Sequence, residues 1–120
     1  MARVMICDDS VFMRMMLKNL LVENGHEIVA EAGDGMEAVK LYHEHKPELI
    51  TMDITMPRMD GIEAVKVIHD DDPLIRIIMV SAIGQQAIVT DAIKAGASDF
   101  IVKPFDPPQV LNTIRRILKK

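Results

Sequence analysis

A chain of 120 residues is one domain's length, enough to close a single hydrophobic core without disulfide or metal staples. It is 49% hydrophobic, but no apolar run approaches the roughly 18 residues a membrane span needs, and a net charge of -4 with 3% aromatic residues excludes a basic, base-stacking nucleic-acid binder. The lone Cys7 rules out an internal disulfide, and Arg3 is followed by a short apolar run and two Asp rather than a signal peptide, so a cytoplasmic protein is expected.

Along the chain, apolar strands alternate with amphipathic helices. Arg3 to Cys7 is nearly continuous apolar sequence, suited to an interior parallel strand covered on both faces. Asp8-Asp9-Ser10 breaks it, and Met13, Met16, Leu17, Leu20 and Leu21 recur at helical spacing until Asn24-Gly25. Glu27 to Ala32 is a more polar strand, expected at an edge. Gly33-Asp34-Gly35 turns into a helix with Ala38, Leu41 and Tyr42 on one stripe, ended by Lys46-Pro47. Leu49 to Met52 is the third strand, and it runs straight into Asp53, with Pro57 four residues on.

Asp60-Gly61 leads into a third helix through Ala64, Val65 and Ile68, closed by the acidic run Asp70 to Asp72, which reads as a solvated helix end. Ile75 to Ser81 is β-branched and apolar enough for an interior strand. Gln85 to Ala95 reads as a fourth helix with Gly96 as its C-cap, and Asp99 to Val102 as the fifth strand. Pro107-Pro108 opens a last helix with Val110, Ile114 and Ile117 facing inward and Arg115, Arg116, Lys119 and Lys120 at its negative end. Such alternation implies an α/β fold, a parallel sheet with right-handed crossovers and helices on both faces.

In that architecture every strand-to-helix loop lies on one sheet edge, where open α/β sheets bind ligands. Asp8, Asp9, Asp53, Ser81 and Lys103 all occupy that position. Taken alone, Asp53 reads as an ordinary turn-capping Asp. Three carboxylates sharing a pocket repel one another and call for a cation, and all-oxygen ligands point to Mg²⁺.

Asp8-Asp9, the Met52-Asp53-Ile54-Thr55-Met56-Pro57 run, Asp60-Gly61, Ser81-Ala82 and Lys103-Pro104-Phe105, in order at strand ends, resemble the receiver domain of two-component response regulators. The resemblance covers the whole chain, which implies a single receiver domain over residues 1–120 with no output domain. Among receivers, its length and the Ser81-Ala82-Ile83-Gly84-Gln85-Gln86 segment resemble the stand-alone chemotaxis regulators of bacteria and archaea. It implies a flavodoxin-like, doubly wound sheet of five strands in the order 2-1-3-4-5 with five helices.

By the same resemblance, Asp53 matches the phosphoacceptor, a carboxylate nucleophile that takes a phosphoryl group from a kinase phosphohistidine. Asp9, Asp53 and the backbone carbonyl of Thr55 match the Mg²⁺ ligands, and Asp8 acts through metal-bound water or directly on the ion. Lys103 matches the cation that pairs with the phosphoryl oxygens, with a cis Lys103-Pro104 bond. Ser81 matches the hydroxyl that shifts toward the phosphoryl group, and Phe100 the aromatic switch position. Phe100 stands where bacterial chemotaxis regulators commonly carry Tyr. With no hydroxyl to unpair, an inward population of its ring is expected even without phosphorylation. Thr55 and Ile83, which border the path of the hydrolytic water, depart from the polar residues often found there. The implied partners are a sensor histidine kinase of the chemotaxis type, a flagellar or archaellar motor switch protein or adaptor, and a phosphatase, with the chain itself a monomer. It is thus expected to be a switch rather than an enzyme.

Other features read as structural. The 10 Met residues suit core and helix surface, His43 and His45 lie two apart and face different directions on their helix, and Cys7 is a small buried hydrophobe. Two other functions fit the residues less well than the switch. A Mg²⁺-dependent aspartyl-phosphate phosphohydrolase needs a second Asp where Thr55 stands. A flavin-binding electron carrier needs a hydroxyl-rich first loop and flanking aromatics, where the chain has Asp8-Asp9 and a single Tyr.

Overall fold

A computed structural model describes residues 2–82 and 84–119. The elements follow in strict alternation: β1 (Arg3–Cys7), α1 (Val11–Glu23), β2 (Glu27–Ala32), α2 (Gly35–His45), β3 (Leu49–Asp53), α3 (Gly61–Asp71), β4 (Arg76–Ser81), α4 (Gln86–Ala95), β5 (Asp99–Val102) and α5 (Pro107–Leu118). The strands pair in parallel in the order β2-β1-β3-β4-β5. This is the flavodoxin-like arrangement that the motifs imply, with β3 at its centre.

Strand alternation sorts the core into two layers. One face of the sheet sends Met5, Cys7, Ile50, Met52, Ile77 and Met79 against α2, α3 and α4, which answer with Ala38, Tyr42, Ala64, Val65, Ile68, Val89 and Ala92. The other sends Val4, Ile6, Leu49, Ile78, Val80 and Ile101 against Leu17 and Leu21 of α1 and Val110, Ile114 and Ile117 of α5. β2 and β5 are the edge strands, and in β2 only Ala32 is fully buried. No helix among the described residues is long and apolar enough to cross a membrane.

Local chemistry starts and stops the helices. Ser10, Asp34 and Asp60 accept N–H bonds from Met13, Glu37 and Glu63 three residues into α1, α2 and α3. Pro107 and Pro108 open α5, where a missing N–H has no consequence, and Gly96 ends α4 at φ 130°.

Four local expectations are corrected. Met16 is 41% exposed rather than inward, because α1 turns only the Leu17–Leu21 stripe to the sheet. β4 begins at Arg76, whose Nε donates to the carbonyl of Ile117 at 3.1 Å and so reaches the end of α5, while Ile75 is bonded back to Asp72 in the preceding turn. α4 begins at Gln86, with Gln85 as its N-cap. The acidic run is not merely solvated: the Tyr42 hydroxyl donates to Asp72 at 2.8 Å, and His43 Nε2 lies 3.1 Å from Asp71, tying α2 to α3. Of the basic residues expected at the end of α5, Arg116 pairs with Asp99 of β5, and Lys120 lies outside the described residues. Thr51, inside an otherwise apolar strand, is buried with no partner for its hydroxyl.

Candidate phosphoacceptor and metal site

The carboxyl edge of the sheet gathers the residues that the sequence placed at strand ends. Asp8 follows β1, Asp53 closes β3, Ser81 closes β4 and Lys103 follows β5. Asp8, Asp53 and Ser81 are buried, and Asp9 is exposed at the rim. One carboxylate oxygen from each of Asp8, Asp9 and Asp53 lies within 4.8 Å of the others. The Lys103 ammonium reaches between two of them, 2.9 Å from Asp8 Oδ2 and 3.2 Å from Asp53 Oδ2.

Backbone bonds hold these side chains in place. The Asp8 N–H donates to the Ala32 carbonyl at 3.0 Å, and Asp8 Oδ1 accepts from the Ser10 N–H at 2.9 Å. The Lys103 N–H donates to the Ser81 carbonyl at 2.8 Å, and the Lys103-Pro104 bond is cis, as the resemblance implies. Ser81 Oγ donates to the Ile101 carbonyl at 3.4 Å, so its hydroxyl is engaged away from Asp53. Thr55 is exposed in the loop after β3, and Phe100 lies on the surface, 40% exposed, with its ring outward in this structure rather than inward. Ile83 lies outside the described residues.

The electrostatics are those of a site short of positive charge. Burial pushes the Asp53 carboxyl up to about 6, the Asp8 charge adds to it, and Lys103 only partly opposes them. Burial pulls the Lys103 ammonium down, but its bond to Asp8 and the charges of Asp53 and Asp8 outweigh that and raise it. Three carboxylates against one ammonium leave a negative excess, and the donors are all oxygen. The residues therefore fit a hard divalent cation.

Three further residues support the site, and of these only Gly61, in the Asp60-Gly61 pair, was marked in the sequence. Arg14 of α1 donates through Nη1 to the Asp8 carbonyl at 2.5 Å, and its Nε lies 3.4 Å from Glu31 of β2. Gly61 is pressed so close that a Cβ there would fall 2.0 Å from the Asp53 carbonyl oxygen. Arg58 donates through Nε and Nη2 to Asp34 Oδ2 at 3.0 and 2.6 Å. The one sequence sign for any of these is Gly61 after Asp60, where a helix N-terminus meets a backbone.

The model of the response regulator receiver domain family matches residues 4–115. This chain belongs to that family. The receiver is 60% identical over 116 residues to the chemotaxis protein CheY of Bacillus subtilis, covering 97% of each chain. It is 55% identical to the chemotaxis protein CheY of Thermotoga maritima, covering 98% of each. Among solved structures, CheY in a CheX-CheY-BeF3-Mg complex from Borrelia burgdorferi superposes with a TM-score of 0.94 at 41% identity, over 98% of this receiver and 90% of that chain.

Proposed function

We propose that this receiver accepts a phosphoryl group on Asp53 from the phosphohistidine of a chemotaxis-type sensor kinase, with Mg²⁺, and thereby changes its affinity for a motility target. The observation that carries this reading is the Asp53 carboxylate, buried at the end of the central strand and held against Lys103 beside two further carboxylates. Asp9, Asp53 and the Thr55 carbonyl would hold the cation, with Asp8 behind them. When bound, Mg²⁺ supplies charge neutralisation at the phosphoryl oxygens.

The chain's own residues do the rest. An Asp53 Oδ forms the new O–P bond as the N–P bond of the phosphohistidine breaks, and the electron pair of that bond leaves with the imidazole. Lys103, already beside Asp53, holds the negative phosphoryl oxygens in place. Phosphorylation puts roughly one to two added charges and three acceptor oxygens at Asp53. Ser81 then trades its 3.4 Å bond to the Ile101 carbonyl for one to the phosphoryl group. That shift opens space for the Phe100 ring to turn inward and reshapes the surface of α4, β5 and α5.

Similarity supports the partner classes: the Bacillus and Thermotoga relatives are named chemotaxis proteins, and the Borrelia relative is complexed with CheX, so a kinase, a motor switch protein or adaptor, and a phosphatase are the partners we assign. The compartment we assign is the cytoplasm. Asp53→Asn keeps the shape and removes the nucleophile, so labelled phosphoryl uptake from acetyl phosphate should vanish, and in the wild-type protein uptake should require Mg²⁺. Uptake persisting in the variant would overturn the assignment.

A further inference from the structure

The loop from Ile54 to Asp60 carries the Thr55 carbonyl and is anchored at both of its ends. Its base is closed by the Gly61 N–H donating to the Ile54 carbonyl at 2.8 Å and by Gly61 lying against Asp53. Its crest meets the N-terminus of α2, where a Cβ on Gly35 would fall 2.0 Å from the Met59 carbonyl oxygen. That N-terminus is a firm abutment. Asp34 Oδ1 accepts the Glu37 N–H at 2.8 Å, and Glu37 Oε1 accepts the N–H of Gly33, the residue before the cap, at 2.7 Å.

Onto this abutment the loop throws one charged side chain. Arg58 places both Nε and Nη2 on Asp34 Oδ2, and its own backbone is left-handed at φ 65°. Among the described residues only Lys46, a helix C-cap, shares that conformation without being glycine. A non-glycine residue persists there when its surroundings over-determine it, and such residues cluster where geometry serves function. Glycine would hold this turn with less strain, but it would have no reach to Asp34.

We propose that Arg58 is a positioning residue for the cation: hooked on Asp34, it fixes the loop so that the Thr55 carbonyl stays where it can share an ion with Asp9 and Asp53. The inference rests on the metal site assigned above. It also gives Asp34 two tasks, capping α2 and tethering the loop. An outer support of this kind acts on metal affinity through the ligand it orients, by about tenfold at the lower end of what such partners contribute.

The test is Mg²⁺ titration by calorimetry, with thermal unfolding of the cation-free protein alongside. Arg58→Asn is the variant of choice, because Asn tolerates left-handed backbone while losing the fork. It should bind Mg²⁺ about tenfold more weakly and unfold, cation-free, at the wild-type temperature. Asp34→Asn keeps the cap and should match it, and the double variant should be no weaker than either single one. Weaker binding matched by a lower unfolding temperature of the cation-free variant would make Arg58 merely structural and overturn the proposal. Asp9→Asn separates the two readings. If Asp9→Asn loses Mg²⁺ while Arg58→Asn binds at wild-type affinity, the tether fails and the metal site stands; if Asp9→Asn also binds as wild type, the site itself is wrong.

Discussion

At the N-terminal edge of the sheet, Arg3 donates to the carbonyls of His45, the last residue of α2, and of its C-cap Lys46, at 2.7 and 2.9 Å, and Glu48 takes the Arg3 N–H at 3.0 Å, while Tyr42 is satisfied by Asp72. At the C-terminal edge, three carboxylates share one ammonium, and Asp53 is driven toward its protonated form. The same parallel sheet thus carries polar groups in two regimes. At one edge each group has a partner of the right kind and the arrangement rests. At the other the groups are held apart from their electrostatic optimum by the backbone around them, so a cation has work to do on arrival. If this contrast is real, removing a polar group at the first edge must destabilise, and removing a charge at the second must stabilise.

The largest expected effect tests the backbone that enforces the crowding. Gly61→Ala would drive a Cβ to 2.0 Å from the Asp53 carbonyl, so β3 or the start of α3 must move. A loss of about 3 kcal/mol is expected in urea denaturation, the upper end for overpacking a well-filled site. Unchanged stability would mean that the close approach does not hold the loop.

Next comes the satisfied edge. Tyr42→Phe leaves the Asp72 carboxylate without the hydroxyl that donates to it at 2.8 Å. The expected loss is about 1.5 kcal/mol, typical of a hydrogen bond to a charged group. Burial, then the bond to Asp72, raise the Tyr42 hydroxyl to about 12. The folded state therefore favours the neutral phenol, so this contribution is complete below about pH 10 and fades as pH rises toward 12. Equal stabilities for variant and wild type at pH 7 would break the contrast from this side.

How much of this was visible in the sequence depends on the range of the interaction. Asp8, Asp53, Ser81 and Lys103 each end an apolar run, and period and topology alone bring them to one edge. The helices announced their inward stripes through Ala64, Val65 and Ile68, or Val110, Ile114 and Ile117, because burial there follows the helical repeat. What stayed hidden were pairs set by loop geometry. Nothing in the spacing of Arg58 and Asp34, or of Tyr42 and Asp72, says that their side chains meet, since each contact depends on how two separate loops or helix ends lie against each other. Thr51 failed in the other direction: it sits in an apolar run and is buried like its neighbours, but its hydroxyl finds no partner. Phe100 is a matter of state, because a residue type does not fix which of two rotamers is occupied.

The smallest effect has the opposite sign and decides whether the crowding is electrostatic. Asp53→Asn removes one of three carboxylates and leaves the 2.9 Å pair of Lys103 and Asp8 in place. The Asp53 carboxyl is raised to about 6, by burial first and by Asp8 second, against an ordinary value of 3.8. The folded protein therefore holds this proton more tightly than the unfolded chain does. Stability must then fall as pH rises from about 4 to about 6, and the full cost is present above that window. In cation-free buffer at pH 7, Asp53→Asn should be more stable than the wild type by on the order of 1 kcal/mol, since partial solvent contact screens the effect. The gap should shrink as pH falls through 6 and close near 4. Saturating Mg²⁺ should narrow it at pH 7 as well, because an ion bound only by the folded wild type stabilises that form. Paired urea denaturation curves between pH 4 and 7 measure all of this. A gap that does not change with pH would trace the gain to shape rather than charge, and the two edges of the sheet would then not differ in the way their geometry indicates.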